Sequence, residues 1–90
     1  MMRMDAYTKM QAICRAVIVL SDTDLPVTAT YVAHVIRRSP NGHLRAMLKQ
    51  MCGIGLLDER IEPYHGGQER LVYSITSRGV SFSKATDWPY

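Results

Sequence analysis

The sequence predicts a mainly α-helical domain with one small antiparallel β-hairpin. Before residue 54, three stretches repeat apolar residues at the three- and four-residue spacing of an amphipathic helix. After residue 55 the spacing becomes the two-residue alternation of strands, on both sides of a Gly66-Gly67 pair. The chain has 90 residues, of which 47% are hydrophobic and 21% charged, so we expect residues 1–90 to form a single domain with a modest core.

The first helix is expected from its N-cap, Asp5, to about Ser21, where turn-favouring residues begin. Its apolar face is predicted to consist of Met10, Ile13, Cys14, Val17 and Leu20. Residues 25–27 should then be extended, because the residue before Pro26 avoids the helical conformation.

The second helix is predicted to begin after the N-cap Thr28 and to end at Arg38. Its small residue Ala33 leaves room for a neighbouring helix to approach. The large residues expected to be buried on this helix are Val32, Val35 and Ile36.

The third helix has two faces of different chemistry. Ser39 as N-cap and Pro40 as first helical residue are its expected start, and the glycines at 53 and 55 mark its expected end. Its apolar face comprises Leu44, Met47, Leu48 and Met51. Its opposite face is basic, polar or small and comprises Gly42, Arg45, Ala46 and Lys49, flanked by Asn41 and Gln50.

A hairpin and a short helix complete the pattern. The expected strands cover about residues 56–62 and 70–75, joined by a loop at 63–68. Alternation places two sets of residues on one face of each strand, namely Leu57, Glu59 and Ile61, and Leu71, Tyr73 and Ile75. The last helix should begin at residue 76 or 77 and run to Lys84.

The positive charge of the chain is concentrated in one third of its length. Residues 25–57 include four basic residues and no acidic one, whereas the rest of the chain has seven basic and eight acidic residues. This window therefore carries +4 and the remainder −1, which add to the net charge of +3. Because the window contains the second and third helices, we expect a polyanionic partner.

Several classes of function find no support in the residues. The longest apolar run has five residues, far short of a membrane span, and the first four residues, MMRM, lack a signal-peptide pattern. Neither His34 nor His43 has the neighbours of a metal site, and no nucleophile has an activating partner in a recognisable pattern. We therefore expect a cytoplasmic protein that is not an enzyme and needs no metal or cofactor. Cys14 and Cys52 are interpreted as reduced core thiols, with a redox switch as the alternative.

The order helix, extended segment, helix, turn, helix, hairpin is that of a winged helix-turn-helix. Residues 28–58 resemble a segment of prokaryotic winged-helix regulators, with matches at Ala33, Ser39, Leu44, Leu48 and the Gly55-Leu56-Leu57 start of the wing. Residues 72–79, VYSITSRG, are similar to the segment that closes the wing in the MarR and PadR groups. The ArsR group is also similar, but its paired-cysteine metal motif is absent, so metal sensing is not implied. The resemblance places the helix-turn-helix at about 28–52, the wing at about 56–75 and the last helix at about 77–84.

The resemblance implies a sequence-specific double-stranded DNA-binding protein that acts as a small transcriptional regulator. The helix beginning at Ser39 would read base edges in the major groove, and the wing would contact the DNA backbone. Arg45 and Lys49, one turn apart, suit a guanine edge or a phosphate. The predicted DNA-contacting residues are Thr28, Thr30, Arg37, Arg38, Ser39, Asn41, Gly42, His43, Arg45, Ala46, Lys49, His65, Gln68 and Arg70.

Two alternatives stay open: a winged-helix protein-interaction or adaptor module, and a replication or partition protein of a plasmid or phage. The acidic residues of the wing argue against DNA binding, because they would repel phosphates; they are Asp58, Glu59, Glu62 and Glu69. Arg70 has an alternative role in an ion pair within the hairpin. A chain of this size is expected to bind a two-fold DNA site as a homodimer, through the first helix and the tail containing Trp88, and to have no small-molecule ligand.

Overall fold

A computed structural model describes residues 6–39 and 41–85 of the chain. These residues form four α-helices and a two-stranded antiparallel sheet, which confirms the mainly helical class with a small hairpin. The elements are α1 (Ala6–Ser21), α2 (Ala29–Ile36), α3 (Gly42–Gly53), β1 (Leu57–Pro63), β2 (Glu69–Ile75) and α4 (Ser77–Lys84). The predicted N-cap Asp5, the predicted first helical residue Pro40, and Trp88 lie outside the described residues.

Helix α1 is the centre of the fold, because α2, α4 and β2 all pack against it. Its expected apolar face is buried, and Ala16 joins that face. The largest fully buried side chains come from four elements and are Ile13, Val17, Val32, Leu48, Met51 and Leu57. None of the described helices is long and apolar enough to cross a membrane.

The end of α2 differs from the prediction. The helix stops at Ile36, two residues before the expected end, because Arg37 takes a left-handed conformation (φ 58°, ψ 48°). The backbone N–H of Arg38 then donates to the carbonyl of Ala33 at 2.8 Å, which closes the helix end. A left-handed helix end is commonly occupied by glycine, so an arginine there gives no sequence signal. Val35, expected in the core, is 40% exposed.

The start of α3 also differs from the prediction. Its N-cap is Asn41 rather than Ser39, and the Asn41 Oδ1 accepts a hydrogen bond from the N–H of Leu44 at 3.0 Å. Ser39 lies in the turn, where its carbonyl accepts from the Asn41 N–H at 2.8 Å. Serine and asparagine are both good caps, so composition alone does not choose between them. The expected apolar face of α3 is correct, with Leu48 and Met51 fully buried.

The hairpin is in register from Leu57 opposite Ile75 to Pro63 opposite Glu69. The extended segment at 25–27 joins it, because the N–H of Tyr73 donates to the carbonyl of Val27 at 2.8 Å. Each strand begins one residue away from its predicted start, which is within the ordinary uncertainty of strand ends.

The predicted alternation of the hairpin is correct only at its base. Leu57 and Tyr73 are buried as expected, but Ile61 and Leu71, farther out on the same face, are 61% and 45% exposed. Val72, on the opposite face, is buried instead, in a pocket shared with Leu20. Burial on this face therefore decreases from the base of the hairpin toward its tip.

The hairpin base is fixed to α4 by a close backbone contact. The Thr76 hydroxyl caps α4 by accepting from the N–H of Gly79 at 3.0 Å, and it donates to the carbonyl of Gly55 at 2.6 Å. A Cβ at Gly79 would overlap the carbonyl oxygen of Leu56 and stand 2.6 Å from Cδ1 of Ile75. Position 79 therefore has room only for glycine.

The far end of α4 is bound to α1. The Gln11 side-chain amide is buried and donates to the carbonyls of Phe82 at 3.0 Å and Ala85 at 2.7 Å. The Arg15 guanidinium donates to the carbonyl of Ser83 at 3.0 Å. These two side chains donate to carbonyls at the end of α4, where helical backbone partners run out, and we refer to the contact as the α1–α4 clasp.

Candidate nucleic-acid interface

The outer face of α3 is exposed along its whole length. The exposed residues on this face are those expected from the sequence, namely Asn41, Gly42, Arg45, Ala46, Lys49 and Gln50, together with His43. Arg45 and Lys49 stand one helical turn apart, and no carboxylate among the described residues lies within 4 Å of either side chain. Their charges are therefore available to a partner.

Thr28, Thr30, Arg45, Lys49 and Arg70 come together around one groove between α3 and the hairpin. This α3–hairpin groove has a volume of about 530 Å³. Its other lining residues are Ala29, Glu59, Leu71 and Tyr73. The groove thus brings five predicted DNA contacts from α2 with its N-cap, α3 and β2 to one side of the molecule, and its described lining includes one carboxylate, Glu59.

A second group of predicted contacts lies on the other side of α3. Arg37, Arg38, Ser39, Asn41 and His43 border a cavity of about 380 Å³ between α1 and the turn before α3. We call it the turn cavity. The predicted interface is therefore divided by α3 into a groove side and a turn side.

Arg70 fills the alternative role considered from the sequence. Its Nε donates to Oε1 of Glu62, the residue directly opposite in the hairpin, at 2.9 Å. Its guanidinium carbon also lies 4.5 Å from the centre of the Tyr64 ring. The nearest carboxylate in sequence, Glu69, is not the partner, because adjacent residues of a strand point to opposite faces. The charge of Arg70 is thus largely used within the hairpin.

The hairpin tip presents His65 and Gln68 to solvent. Gly66 and Gly67, with φ values of 69° and 77°, make the turn that places them there. The Tyr64 and His65 rings lie 4.8 Å apart, centre to centre. Both predicted wing contacts are therefore accessible at the end of the hairpin.

The hairpin as a whole is acidic. Residues 57–75 contain two arginines and four carboxylates, which give a formal charge of −2. Three of the carboxylates, Asp58, Glu59 and Glu69, are exposed. The exposed Ile61 and Leu71, which pair across the strands, form an apolar patch that the sequence analysis did not anticipate.

Tyr73 marks the junction between α3 and the hairpin. Burial raises the pKa of its hydroxyl, Glu59 and Cys52 raise it further, and Arg45 acts in the opposite direction. Glu59 from β1 and Arg45 from α3 therefore shift the pKa of the same hydroxyl in opposite directions.

Neither cysteine is activated. Burial raises the pKa of the Cys14 thiol to about 11, against a smaller opposing effect of Arg15. Burial also raises the pKa of the half-buried Cys52, with Glu59 and Asp58 adding to the effect. Both thiols are free, and a raised pKa keeps them protonated and weakly nucleophilic at neutral pH. Across the described residues, no three His, Cys, Asp or Glu side chains are grouped to hold a metal ion.

Comparison of the chain with models of protein families, with curated proteins and with solved structures finds no match.

Proposed function

We propose that the chain is a sequence-specific double-stranded DNA-binding protein of the winged helix-turn-helix type, acting as a small cytoplasmic transcriptional regulator. The observation that carries the proposal is the outer face of α3. It is exposed from end to end, carries two cations that have no carboxylate of the described residues within 4 Å, and belongs to a stretch of 33 residues without a single carboxylate.

The dimensions of α3 suit a major groove. A helix of 12 residues is roughly 18 Å long and fits a groove about 12 Å wide. Gly42 and Ala46 add little bulk, so the helix can approach the base edges closely. Arg45 then has the two parallel donors that match a guanine edge, and Lys49 supplies a point charge for a phosphate.

The turn before α3 and the start of α2 supply the backbone contacts in this proposal. Arg37, Arg38 and Ser39 are exposed on the turn side, and Thr30 is exposed at the first turn of α2. Cations, hydroxyls and helix N-termini position a protein on the phosphate chain without reading sequence. In this proposal His65 and Gln68, at the hairpin tip, also contact the phosphate chain.

A single domain of this size contacts one half-site, so we propose binding as a homodimer to a two-fold sequence. The exposed side of α1, which includes the 54% exposed Val19, is the proposed dimer surface within the described residues. Sedimentation at micromolar concentration tests this part, and a monomeric mass with and without DNA would contradict it.

The first test is a salt titration of binding to random-sequence duplex DNA, followed by selection from a randomised pool. If the domain neutralises four phosphates, log K should fall against log salt with a slope of about −3.6. Selection should enrich one motif, and a palindromic motif would support the dimer. An Arg45→Ala/Lys49→Ala double variant is the control, and an affinity equal to that of the unmodified chain would exclude α3 as the recognition helix.

A protein-interaction or adaptor module is the second candidate, and the hairpin favours it. Four carboxylates and the exposed Ile61–Leu71 pair suit a protein surface better than a phosphate chain. Absence of DNA binding even at low salt would favour this function. A plasmid or phage replication or partition protein would use the same DNA contacts, so only the location of the selected site separates it from a regulator.

A further inference from the structure

The outer edge of β1 is open in the part of the chain that the structure describes. The sheet has two strands in the order β1–β2, so β2 covers one edge of β1 only. The extended segment at 25–27 lies on the far side of β2, where Val27 accepts from Tyr73. An open strand edge is a template on which an extended peptide can form backbone hydrogen bonds.

The register of the hairpin determines which residues of β1 direct their backbone outward. The Tyr64 N–H donates to the Gln68 carbonyl at 2.7 Å at the tip, and the Thr76 N–H donates to the Leu56 carbonyl at 3.3 Å at the base. Between two antiparallel strands, hydrogen-bonded and non-hydrogen-bonded residue pairs alternate. The even-numbered residues of β1 therefore bond to β2, and the odd-numbered ones direct their N–H and C=O groups to the outer edge.

Two of the odd-numbered residues, Glu59 and Ile61, form the middle of the open edge. Tyr73, which lies opposite Glu59, agrees with this pattern, because its N–H donates away from β1, to Val27. Glu59 and Ile61 are both exposed, and no other segment of the described chain bonds to their backbone groups. The edge thus offers two N–H donors and two carbonyl acceptors at alternate residues.

The charges of β1 select the kind of strand that can bind there. The strand contains Asp58, Glu59, Arg60 and Glu62, which give a formal charge of −2. Asp58 and Glu59 have no cation of the described residues within 4 Å. Charged side chains keep an edge strand from pairing indiscriminately. Because like charges opposite each other are unfavourable, this edge disfavours acidic strands, including β1 of a second copy, and favours a cationic strand.

We propose that β1 binds an extended cationic segment of a partner protein, which adds to its outer edge as an antiparallel strand. The backbone of the segment pairs with Glu59 and Ile61. A lysine or arginine lies opposite Glu59, and an aliphatic residue two positions before it lies opposite Ile61, where it extends the Ile61–Leu71 patch. This inference goes beyond the proposed function and does not depend on DNA binding.

The first experiment titrates the peptide Ac-Ser-Lys-Val-Thr-Lys-Lys-Ser-NH₂ into the ¹⁵N-labelled chain without DNA. With its valine opposite Ile61, the next lysine lies opposite Glu59. At a peptide concentration of about ten times Kd, amide hydrogen exchange at Glu59 and Ile61 should slow about tenfold. Exchange at Arg60, whose N–H already bonds to β2, should change much less. Shifted NMR signals without slower exchange at Glu59 and Ile61 would overturn strand addition, and so would unchanged signals.

Two modified peptides separate backbone pairing from the attraction of charges. N-methylation of the valine removes an N–H that faces β1 and keeps the charge of the peptide, so it should weaken binding about tenfold or more. N-methylation of the threonine, whose N–H faces away from β1, is the matched control and should have a much smaller effect. Equal effects of the two modifications would overturn the backbone pairing.

Two variants of the chain test the contribution of charge. Glu59→Gln should weaken the peptide about twofold to fivefold, as for an exposed ion pair. Glu69→Gln removes the same charge from an exposed position on β2, away from the open edge, and is the matched control, with unchanged affinity expected. Equal losses would show that only the net charge of the hairpin matters and would overturn the assignment to the β1 edge.

The identity of the occupant is tested in two further ways. A peptide with glutamate in place of each lysine should not bind detectably, and equal binding would overturn the selection for a cationic strand. Slower exchange at Glu59 and Ile61 in the chain alone, increasing with protein concentration, would assign the edge to a second copy instead. DNA binding without peptide binding would overturn this inference and leave the proposed function intact, whereas peptide binding without DNA binding would do the reverse.

Discussion

The two walls of the α3–hairpin groove differ in charge and in how their charges are used. On the α3 wall, Arg45 and Lys49 have no carboxylate of the described residues within 4 Å. On the hairpin wall, Arg70 is paired with Glu62, and Glu59 faces the groove. The α3 wall is therefore positively charged and can attract an anion, whereas the hairpin wall is close to neutral or acidic.

In the proposed DNA complex both walls would lie against the duplex, and only the α3 wall would contribute much electrostatic affinity. A wing that is acidic and carries an apolar patch can orient the domain or contact a protein. The resemblance to winged-helix regulators thus implies more for α3 than for the hairpin.

The largest effect is expected from disturbing the junction that holds the hairpin against the body. Gly79→Ala should lower the free energy of unfolding by about 3 kcal/mol, because the new methyl group overlaps the Leu56 carbonyl and Ile75. Gly53→Ala, the same change at a helical glycine with open space, should leave stability unchanged or raise it by up to about 1 kcal/mol. Urea unfolding measures the free energy of unfolding of both variants. Equal stabilities would show that the backbone at the junction can move to make room for the new methyl group.

The next effect concerns DNA affinity. Arg45→Ala should cost roughly 1–3 kcal/mol of specific binding and relax preference at one base pair. Arg70→Ala should cost less than about 1 kcal/mol, because its charge is already offset by Glu62.

Lys49→Ala tests the same comparison. It should reduce the magnitude of the slope of log K against log salt by about one, without changing sequence preference. Fluorescence anisotropy on the selected duplex measures all three variants. An Arg70→Ala loss as large as that of Arg45→Ala would mean that the two walls contribute equally.

A smaller effect is expected when Arg70 loses its ion pair with Glu62. Glu62→Gln breaks the pair with Arg70 and should cost about 1 kcal/mol of stability, while DNA affinity rises by about twofold to fivefold. Glu69→Gln removes the same charge from an exposed position on the opposite strand and should raise affinity without the loss of stability. If both variants are equally stable, the Glu62–Arg70 pair does not support the hairpin.

The smallest effect reports on the contact between the walls. Burial and Glu59 raise the pKa of Tyr73, whereas Arg45 lowers it. Glu59→Gln should therefore lower the pKa of Tyr73, and Arg45→Ala should raise it. A raised pKa stabilises the fold below pH 10 and loses that contribution as the pH rises through the pKa of the folded state. Stability should therefore fall less steeply above pH 10 in Tyr73→Phe than in the unmodified chain. Identical pH profiles would show that the hydroxyl ionises freely in the folded protein.

Much of the fold was predictable because its signals are local. Apolar spacing located α1 and α3, and Thr28 and the Gly-Gly pair marked the start of α2 and the hairpin turn. The errors arose where tertiary geometry overrides local preference. An arginine in a left-handed conformation ended α2 early, and Asn41 rather than Ser39 began α3.

The candidate site was predictable as a set of residues but not as an arrangement. Exposure on α3 follows from its periodicity, so Arg45 and Lys49 were accessible to sequence reasoning. The division into a groove and a turn cavity depends on how α1 and the hairpin pack, which no single segment encodes. The pairing of Arg70 with Glu62 depends on the hairpin register, which one shift of a residue would change.

The α1–α4 clasp has a consequence for how the chain reaches its final state. Gln11 is joined to carbonyls 71 and 74 positions later in the sequence. A buried amide without those partners would cost about 1–3 kcal/mol. The Gln11 amide can therefore leave water without that cost only when residues 82–85 dock at the same time, so we expect α1 and α4 to become buried in one cooperative step.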